Sequence, residues 1–535
     1  MKNFSILMLP FFTGIISLLH AQAPYLQAQR SLGGSENEFA FEIHQTSDAG
    51  YIVAGQAASN DGNVSGNHGD EDFWVVKLNK NRSMQWQKAL GGLGDEKAFS
   101  IQQTNDSGYI IAGQASLSSG QVTGNHGMID IWVVKLDTKG TLRWQRSLGG
   151  GNRDFANSIQ QTKDGGYIVA GGSFSNDADV TVHHGPNIYA DYWILKLDAD
   201  GNMQWQRSYG GSKGDIAMSI RQTSDDGYIV AGNSASTDGN VKNVHDSVYG
   251  DFWILKLDTQ GKIQWQRAFG GSDYEQANSI EQTADGGYIA SGWNRSPNDG
   301  DVTGNHGDYD FWIVKMNAKG RMQWQKSLGG TEGDIGYSIK QTPDNGYVVA
   351  GGTSSNNGDV SGNHGKQDFW LAKINSKGKL LWQKTMGGSE YENAHSIDLT
   401  NDGGYIMAGS SGFLNVNNGD VTGNHGNYDF WITKLSPSGS VTGNLSDDQS
   451  IHGKSLTGLK ISPNPATSFL SIGFNALHEP GFLKITGSNG KSIFEKLLYK
   501  GDRMQLLDIR TFREGLYFLT VQSGNNKISG AFIKR

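Results

Sequence analysis

The sequence repeats itself, and the period decides most of what the chain can fold into. Gly-Gly pairs begin at Gly33, Gly91, Gly149, Gly210, Gly270, Gly329 and Gly387, spaced 58 to 61 residues apart. Each copy reads alike. An acidic turn leads to a segment such as "ANSIQQT", a tight "DGG" turn to "YIVAG", a long Gly/Asn/Asp loop to "DFWVVKL", and a short turn to "QWQRSLGG". A period of this length marks a repeat architecture, in which one unit buries its apolar faces only against its neighbours.

The four segments read as strands. "YIVAG" and "FWVVKL" are short apolar runs rich in β-branched and aromatic residues, bounded by turn residues, and their continuity predicts burial on both faces. "MQWQR" alternates and suits a half-exposed outer strand. Four antiparallel strands in seven copies predict an all-β chain with a seven-bladed β-propeller of four-stranded blades. Copy seven lacks its "QWQ" strand, while "LQAQRSLGG" near the N-terminus has that strand and no copy before it. The N-terminal strand is therefore expected to complete the last blade and close the ring, which leaves no open sheet edge. With 75 glycines and no cysteine, the chain is built on tight turns and holds neither disulfides nor thiolate metal sites.

The pattern "LGG…A.SI..T.DGGYIVAG……DFWVVKL…G…WQ" resembles the β-propeller repeats of exported bacterial proteins, those of Bacteroidetes surface proteins most. The resemblance spans residues 25 to about 437 and implies a fold. It implies little about function, because propellers host binding and catalysis of many kinds.

The two ends carry address signals. Lys2, the uncharged stretch "FSILMLPFFTGIISLL" and "HAQA" read as a secretory signal peptide, 1–21, with cleavage expected after Ala21. No later segment is apolar enough to span a bilayer. The propeller is expected over 22–437, and the Ser/Gly/Asp-rich 438–458 reads as a linker. Residues 459–535 read as a small Ig-like β-sandwich of short strands. That tail holds 11 Lys+Arg against 5 Asp+Glu, while the whole chain is −8. The body is therefore strongly acidic, which argues against nucleic acid as a partner.

The tail resembles the type A C-terminal sorting domain of the type IX secretion system. The matching features are "SPNP" with Pro463, Asn464 and Pro465, "GLYFLTV" with Gly515 and Tyr517, and the basic end with Lys534. The resemblance implies the type IX machinery and its sortase as partners, removal of the tail, and a secreted or outer-surface location on a Gram-negative cell.

Candidate site residues follow from what repeats and what does not. Thirteen of the fourteen tryptophans occupy two repeat positions and are expected to pack between blades. Each long loop carries a histidine four to seven residues before the aspartate that opens "DFW", as His68 precedes Asp72. Seven histidines around a wide ring are too far apart to share one metal ion. Three readings stand for the loops, one of them a transition metal held within a single repeat. The aspartates bond loop backbone while the histidines pin the glycine-flanked turns, or the oxygen-rich loops hold calcium, with Asp61, Asp179, Asp299, Asp301, Asp359 and Asp420 as ligands. Function is expected where copies differ. Loop insertions in copies three and four add Tyr189 and Tyr249, and copy five adds Trp293 and Arg295. These four are expected to form one exposed ligand-binding patch. No catalytic constellation stands out from the repeats. The chain therefore reads as a binding or adhesion module for a glycan or protein ligand, with a polysaccharide-acting enzyme or a structural surface-layer component as alternatives.

Overall fold

The computed structural model describes residues 23–245, 248–412, 417–437, 459–462, 469–474, 481–487, 491–498, 504–523 and 526–534. The expected signal peptide, the linker and the "SPNP" residues Pro463, Asn464 and Pro465 lie outside the described residues.

Seven four-stranded antiparallel sheets account for residues 26–435. In sheet one the strands are Glu38–Gln45, Tyr51–Ala57, Asp72–Leu78 and Met84–Leu90, paired in that order. The second and third strands are buried at every position in all seven sheets, as continuous apolarity requires. The fourth strand is half-exposed. Each apolar core lies between two sheets rather than within one. Phe73 packs on Trp132 of sheet two, and Phe311 of sheet five on Trp370 of sheet six, with ring centroids 4.6 and 4.3 Å apart. Phe430 of sheet seven packs on Trp74 of sheet one at 4.4 Å, so the series returns to its start. This is consistent with a propeller.

The segment Leu26–Leu32 supplies the outer strand of sheet seven, pairing antiparallel with Asp429–Leu435. There Gln29 accepts the indole N–H of Trp431 at 2.8 Å, as Gln87 does for Trp74 within sheet one. On the turn side of each sheet, a buried third-strand lysine reaches the aspartate of the tight turn. Lys77 to Asp48 is 2.9 Å, and Lys434 to Asp402 repeats it in sheet seven.

One irregularity recurs and matters for function. The first strand bulges after its third residue, between Ala40 and Glu42 in sheet one and at the matching place in the others. The bulge brings the first strand so close to the second that a Cβ on Gly55 would lie 1.9 Å from the carbonyl oxygen of Phe39. Only glycine fits opposite it, and the bulged residue is re-aimed away from the ladder.

The tail forms two sheets. Lys460–Ser462, Phe469–Gly473 and Met504–Asp508 make one; Ser492–Leu498, Gly481–Gly487, Gly515–Ser523 and Asn526–Lys534 make the other. Both contribute to one core that includes Ile461, Ile472, Leu507, Leu483, Tyr517 and Phe532. Of the sorting residues, Tyr517 is buried, stacks on Phe532 and donates its hydroxyl to the Arg513 carbonyl at 2.7 Å. Gly515 has a φ of 149°, which an L side chain rarely adopts. Lys534 is buried at the end of the last strand. Among the described residues no helix is long and apolar enough to cross a membrane.

Candidate functional site

The loop histidines clamp. In every sheet the histidine Nδ1 lies 2.6–2.8 Å from Oδ2 of the aspartate that opens the third strand, and the histidine backbone N–H donates to the same oxygen. The insertions of sheets three and four leave the clamp intact, with His184 still on Asp191 and His245 on Asp251. This is the hydrogen-bonding role expected of the repeat.

Behind each clamp two carboxylates are buried on either side of a glycine. A Cβ on Gly33 would lie 2.3 Å from Asp429 Oδ1 and 2.4 Å from Glu38 Oε2, which explains the glycine at that position. Burial pushes these acids up. Asp215 and Asp310 rise to about 6, and Glu96, Glu275 and Glu392 to about 7, hydrogen bonds offsetting only part of the shift.

Five of the six acidic loop residues put forward for calcium have side chains that meet a local donor or histidine. Asp61 and Asp299 accept the backbone N–H of Ser35 and Ser272 at 2.8 and 2.9 Å. Asp179 accepts that of Gly149 at 3.2 Å, and neutral Asn63, Gln121 and Asn240 do the same job in other sheets at 3.3 Å. Asp301 and Asp359 face His245 and His306 at 3.9 and 3.8 Å. At Asp420 the backbone N–H bonds the Gly387 carbonyl. Among the described residues no group of three or more His, Asp and Glu side chains is placed to hold a metal ion.

The patch expected on copies three to five divides. Tyr189 and Tyr249 are exposed, beside exposed Ile188 and Val248. Trp293 differs from expectation. It is a second-strand residue, 9% exposed, held edge-on between Tyr274 and Tyr309 at 4.6 and 4.8 Å. Its position after the "SG" of the strand places it inside the sheet, and two tyrosines from flanking loops cover it. Arg295 lies over Tyr309 and pairs with Asp308 at 3.3 Å. Trp293 thus supports the loop rather than offering a platform.

The most asymmetric place is one that sequence reasoning passed over. A cavity of about 290 Å³ is lined by first-strand residues of all seven sheets. The bulged residue of each strand lines it: Phe41, Phe99, Asn157, Met218, Asn278, Tyr337 and His395. Tyr337, His395, Phe41 and Phe99, from four consecutive sheets, form a continuous aromatic arc with centroids 4.7 to 5.2 Å apart. Asn157 and Asn278 stand on the other side. Their amide N–H groups are held by the carbonyls of Ala217 and Gly336, each at 2.9 Å.

The next residue is serine in six sheets. Ser100, Ser158, Ser219, Ser279 and Ser396 each accept the N–H of an isoleucine on the following sheet, at 3.1 to 3.4 Å. In sheet one Glu42 replaces serine. It accepts the Ile101 N–H at 2.6 Å and the Ser100 hydroxyl at 2.7 Å.

Two residues further on, the strands carry His44, Gln102, Gln160, Arg221, Glu281, Lys340 and Asp398. His44 contacts Glu42 at 3.0 Å and Asp398 at 3.4 Å, Lys340 contacts Glu281 at 2.6 Å, and Arg221 of sheet four reaches Glu42 of sheet one at 3.9 Å. That last contact spans the ring, so this layer floors the cavity. Burial alone would push His44 down, but Glu42 and Asp398 outweigh it and hold the imidazole at about 9. Burial likewise pushes Glu42 up, yet His44, Arg221 and Ser100 bring it to about 2. Three anions thus meet three cations. Above the floor, burial lowers His395 to about 4, so its ring is neutral.

The signal was present in the sequence. Aligned copies read "FEIHQ", "FSIQQ", "NSIQQ", "MSIRQ", "NSIEQ", "YSIKQ" and "HSIDL", with two variable columns around an "SI" core that only copy one breaks, with Glu42.

Residues 460–535 match the family model described as a secretion system C-terminal sorting domain. The chain thus ends in a type IX sorting domain, which directs its export to the cell surface or the extracellular space. No curated protein matches the chain. Solved structures similar to it include a puromycin hydrolase, 10% identical, covering 86% of this chain and 62% of that one with a TM-score of 0.44. A fungal alcohol oxidase of the AA5 family in complex with copper is 12% identical, covering 96% and 99%, with a TM-score of 0.41. Sqt1 from Chaetomium thermophilum is 10% identical, covering 72% and 83%, with a TM-score of 0.39. At these values nothing about activity passes to this chain.

Proposed function

We propose that the seven sheets are the blades of a seven-bladed propeller spanning 22–437. It is exported behind the signal peptide 1–21, and its Ig-like tail 459–535 is removed by the type IX sortase. It acts as a surface or secreted binding module for a glycan or protein ligand. The observation that carries this reading is the concentration of difference on the axis. The blades are near-copies, yet the lining of the axial cavity varies from blade to blade, and an asymmetric concave site is where a ligand is recognised. The exposed loops with Tyr189, Tyr249 and Arg295 are proposed as outer contacts for a longer ligand. The cavity lining contains one carboxylate, Glu42, tied to His44, Ser100 and Arg221. That supports binding over glycoside hydrolysis, which ordinarily uses two carboxyl groups.

Screening the purified protein against glycan and surface-protein arrays tests the reading. Selective retention without turnover supports a binding module. Turnover supports a polysaccharide-acting enzyme, and neither supports a structural surface-layer component. Deleting 459–535 is expected to leave the protein folded in the periplasm; its appearance on the cell surface would overturn the export route.

A further inference from the structure

We propose that the axial cavity takes a single uncharged sugar ring, stacked by one face on the arc Tyr337–His395–Phe41–Phe99 and hydrogen-bonded by its hydroxyls to the opposite wall of Asn157, Ser158 and Ser219. This rests on reading the cavity as the ligand site and names the ligand's chemistry.

Size comes first. At about 290 Å³ the cavity is at the lower end of ligand pockets, with room for one ring rather than a chain. The floor of ion pairs stops a longer molecule from threading the axis, so the ligand is a terminal unit or a free monosaccharide.

Charge comes next. Glu42 and Arg221 are the charged groups of the lining, and they face each other across the axis. Glu42 is also bound by His44, Ser100 and Ile101, and Arg221 is bound by Ser158 and the Ile220 carbonyl. An anionic or cationic ligand would have to break one of these pairs and leave a partner buried and uncompensated. A neutral ligand breaks none.

The polar wall then separates a sugar from a purely apolar ring. Ser158 and Ser219 accept N–H bonds from the next blade, which leaves each hydroxyl hydrogen free to be donated. The amide N–H of Asn157 is held by Ala217, which leaves its carbonyl oxygen as an acceptor. Donors and acceptors alternate within a few residues, opposite flat apolar rings. A sugar hydroxyl both donates and accepts, and the C–H face of a pyranose is flat and apolar. A purely apolar ring would leave the polar wall desolvated without partners, which is costly.

The test uses residues that the repeat itself supplies. Phe99→Asn installs what blades three and five carry at the bulge, and Asn157→Met installs what blade four carries, so the blades tolerate both side chains. Methyl glycosides of glucose, galactose, mannose and N-acetylglucosamine are titrated into the full chain by calorimetry and saturation-transfer NMR, with glucuronate as the charged probe and phenol as the flat apolar one. At least one neutral glycoside is expected to bind, glucuronate to bind at least tenfold more weakly than glucose, and each variant to lose at least tenfold with its melting temperature kept. Neutral glycosides that bind equally to both variants would place the sugar elsewhere and overturn the proposal. Phenol binding that Phe99→Asn abolishes, with no glycoside bound, would keep the axial site and overturn the sugar. Binding of no probe at all would overturn both.

Discussion

Glu42 Oε1 lies 3.0 Å from His44 Nε2, two residues apart on one strand, and Asp398 from the seventh sheet closes on the other ring nitrogen. Glu42→Gln should therefore cost about 3 kcal/mol near neutral pH, because it leaves a buried cation with one partner fewer. Urea unfolding measures the loss. Proton NMR should show the His44 imidazole, which titrates near 9 in the parent, moving down by at least one unit. An unmoved titration would mean that Asp398 alone holds the proton.

Trp293→Ala should destabilise by about 3–4 kcal/mol, as large-to-small changes in a core do. Tyr249→Ala, at a half-exposed loop position, should cost under about 1 kcal/mol. Paired denaturation curves decide this. Equal costs would mean that the Tyr274–Trp293–Tyr309 sandwich contributes little.

Removing residues 24–32 should lower the melting temperature of the whole ring, not of sheet seven alone. The deletion exposes the Asp429–Leu435 edge and strips Trp431 of its acceptor Gln29. Thermal melting and limited proteolysis report it. A parent-like melt would show that the closing strand is dispensable.

Stability should peak near pH 4. The seam acids are raised in the fold, so their contribution is present at low pH and is lost as pH climbs from their ordinary 3.8–4.5 through 6 and 7. His44 acts in the same direction between about 6.5 and 9. The turn aspartates act oppositely. Burial raises Asp106 and Asp285, but Thr104 and Lys135, and Thr283 and Lys315, outweigh it and hold both at about 2. Their contribution is therefore lost as pH falls from about 4 to 2. A melting profile that rises steadily from pH 5 to 8 would contradict the seam assignment.

Chelation should leave the melting temperature within about 1 °C. Asp61, Asp179 and Asp299 accept backbone N–H groups, and Asn63, Gln121 and Asn240 serve equally at the position of Asp179 in other sheets, so these bonds do not need a cation. A drop of several degrees with EDTA, reversed by calcium, would restore calcium as a structural ligand.

Much of the architecture was written locally. Strand identity follows from unbroken apolar runs between turn residues, which report burial without reference to distant parts of the chain. The closing strand was legible as a missing segment at one end and a surplus segment at the other. The histidine–aspartate clamp was legible because both partners sit within seven residues. Tertiary structure decided the rest. Trp293 looked exposed because its sequence neighbours are polar, but Tyr274 and Tyr309 reach it from separate loops. The axial site was hidden for a stronger reason. Glu42, Arg221 and Asp398 are separated by more than 170 residues each, and only closure of the ring brings them within contact. A side chain's meaning there depends on six other strands at the same height. Those distances belong to the closed ring and have no counterpart along the chain.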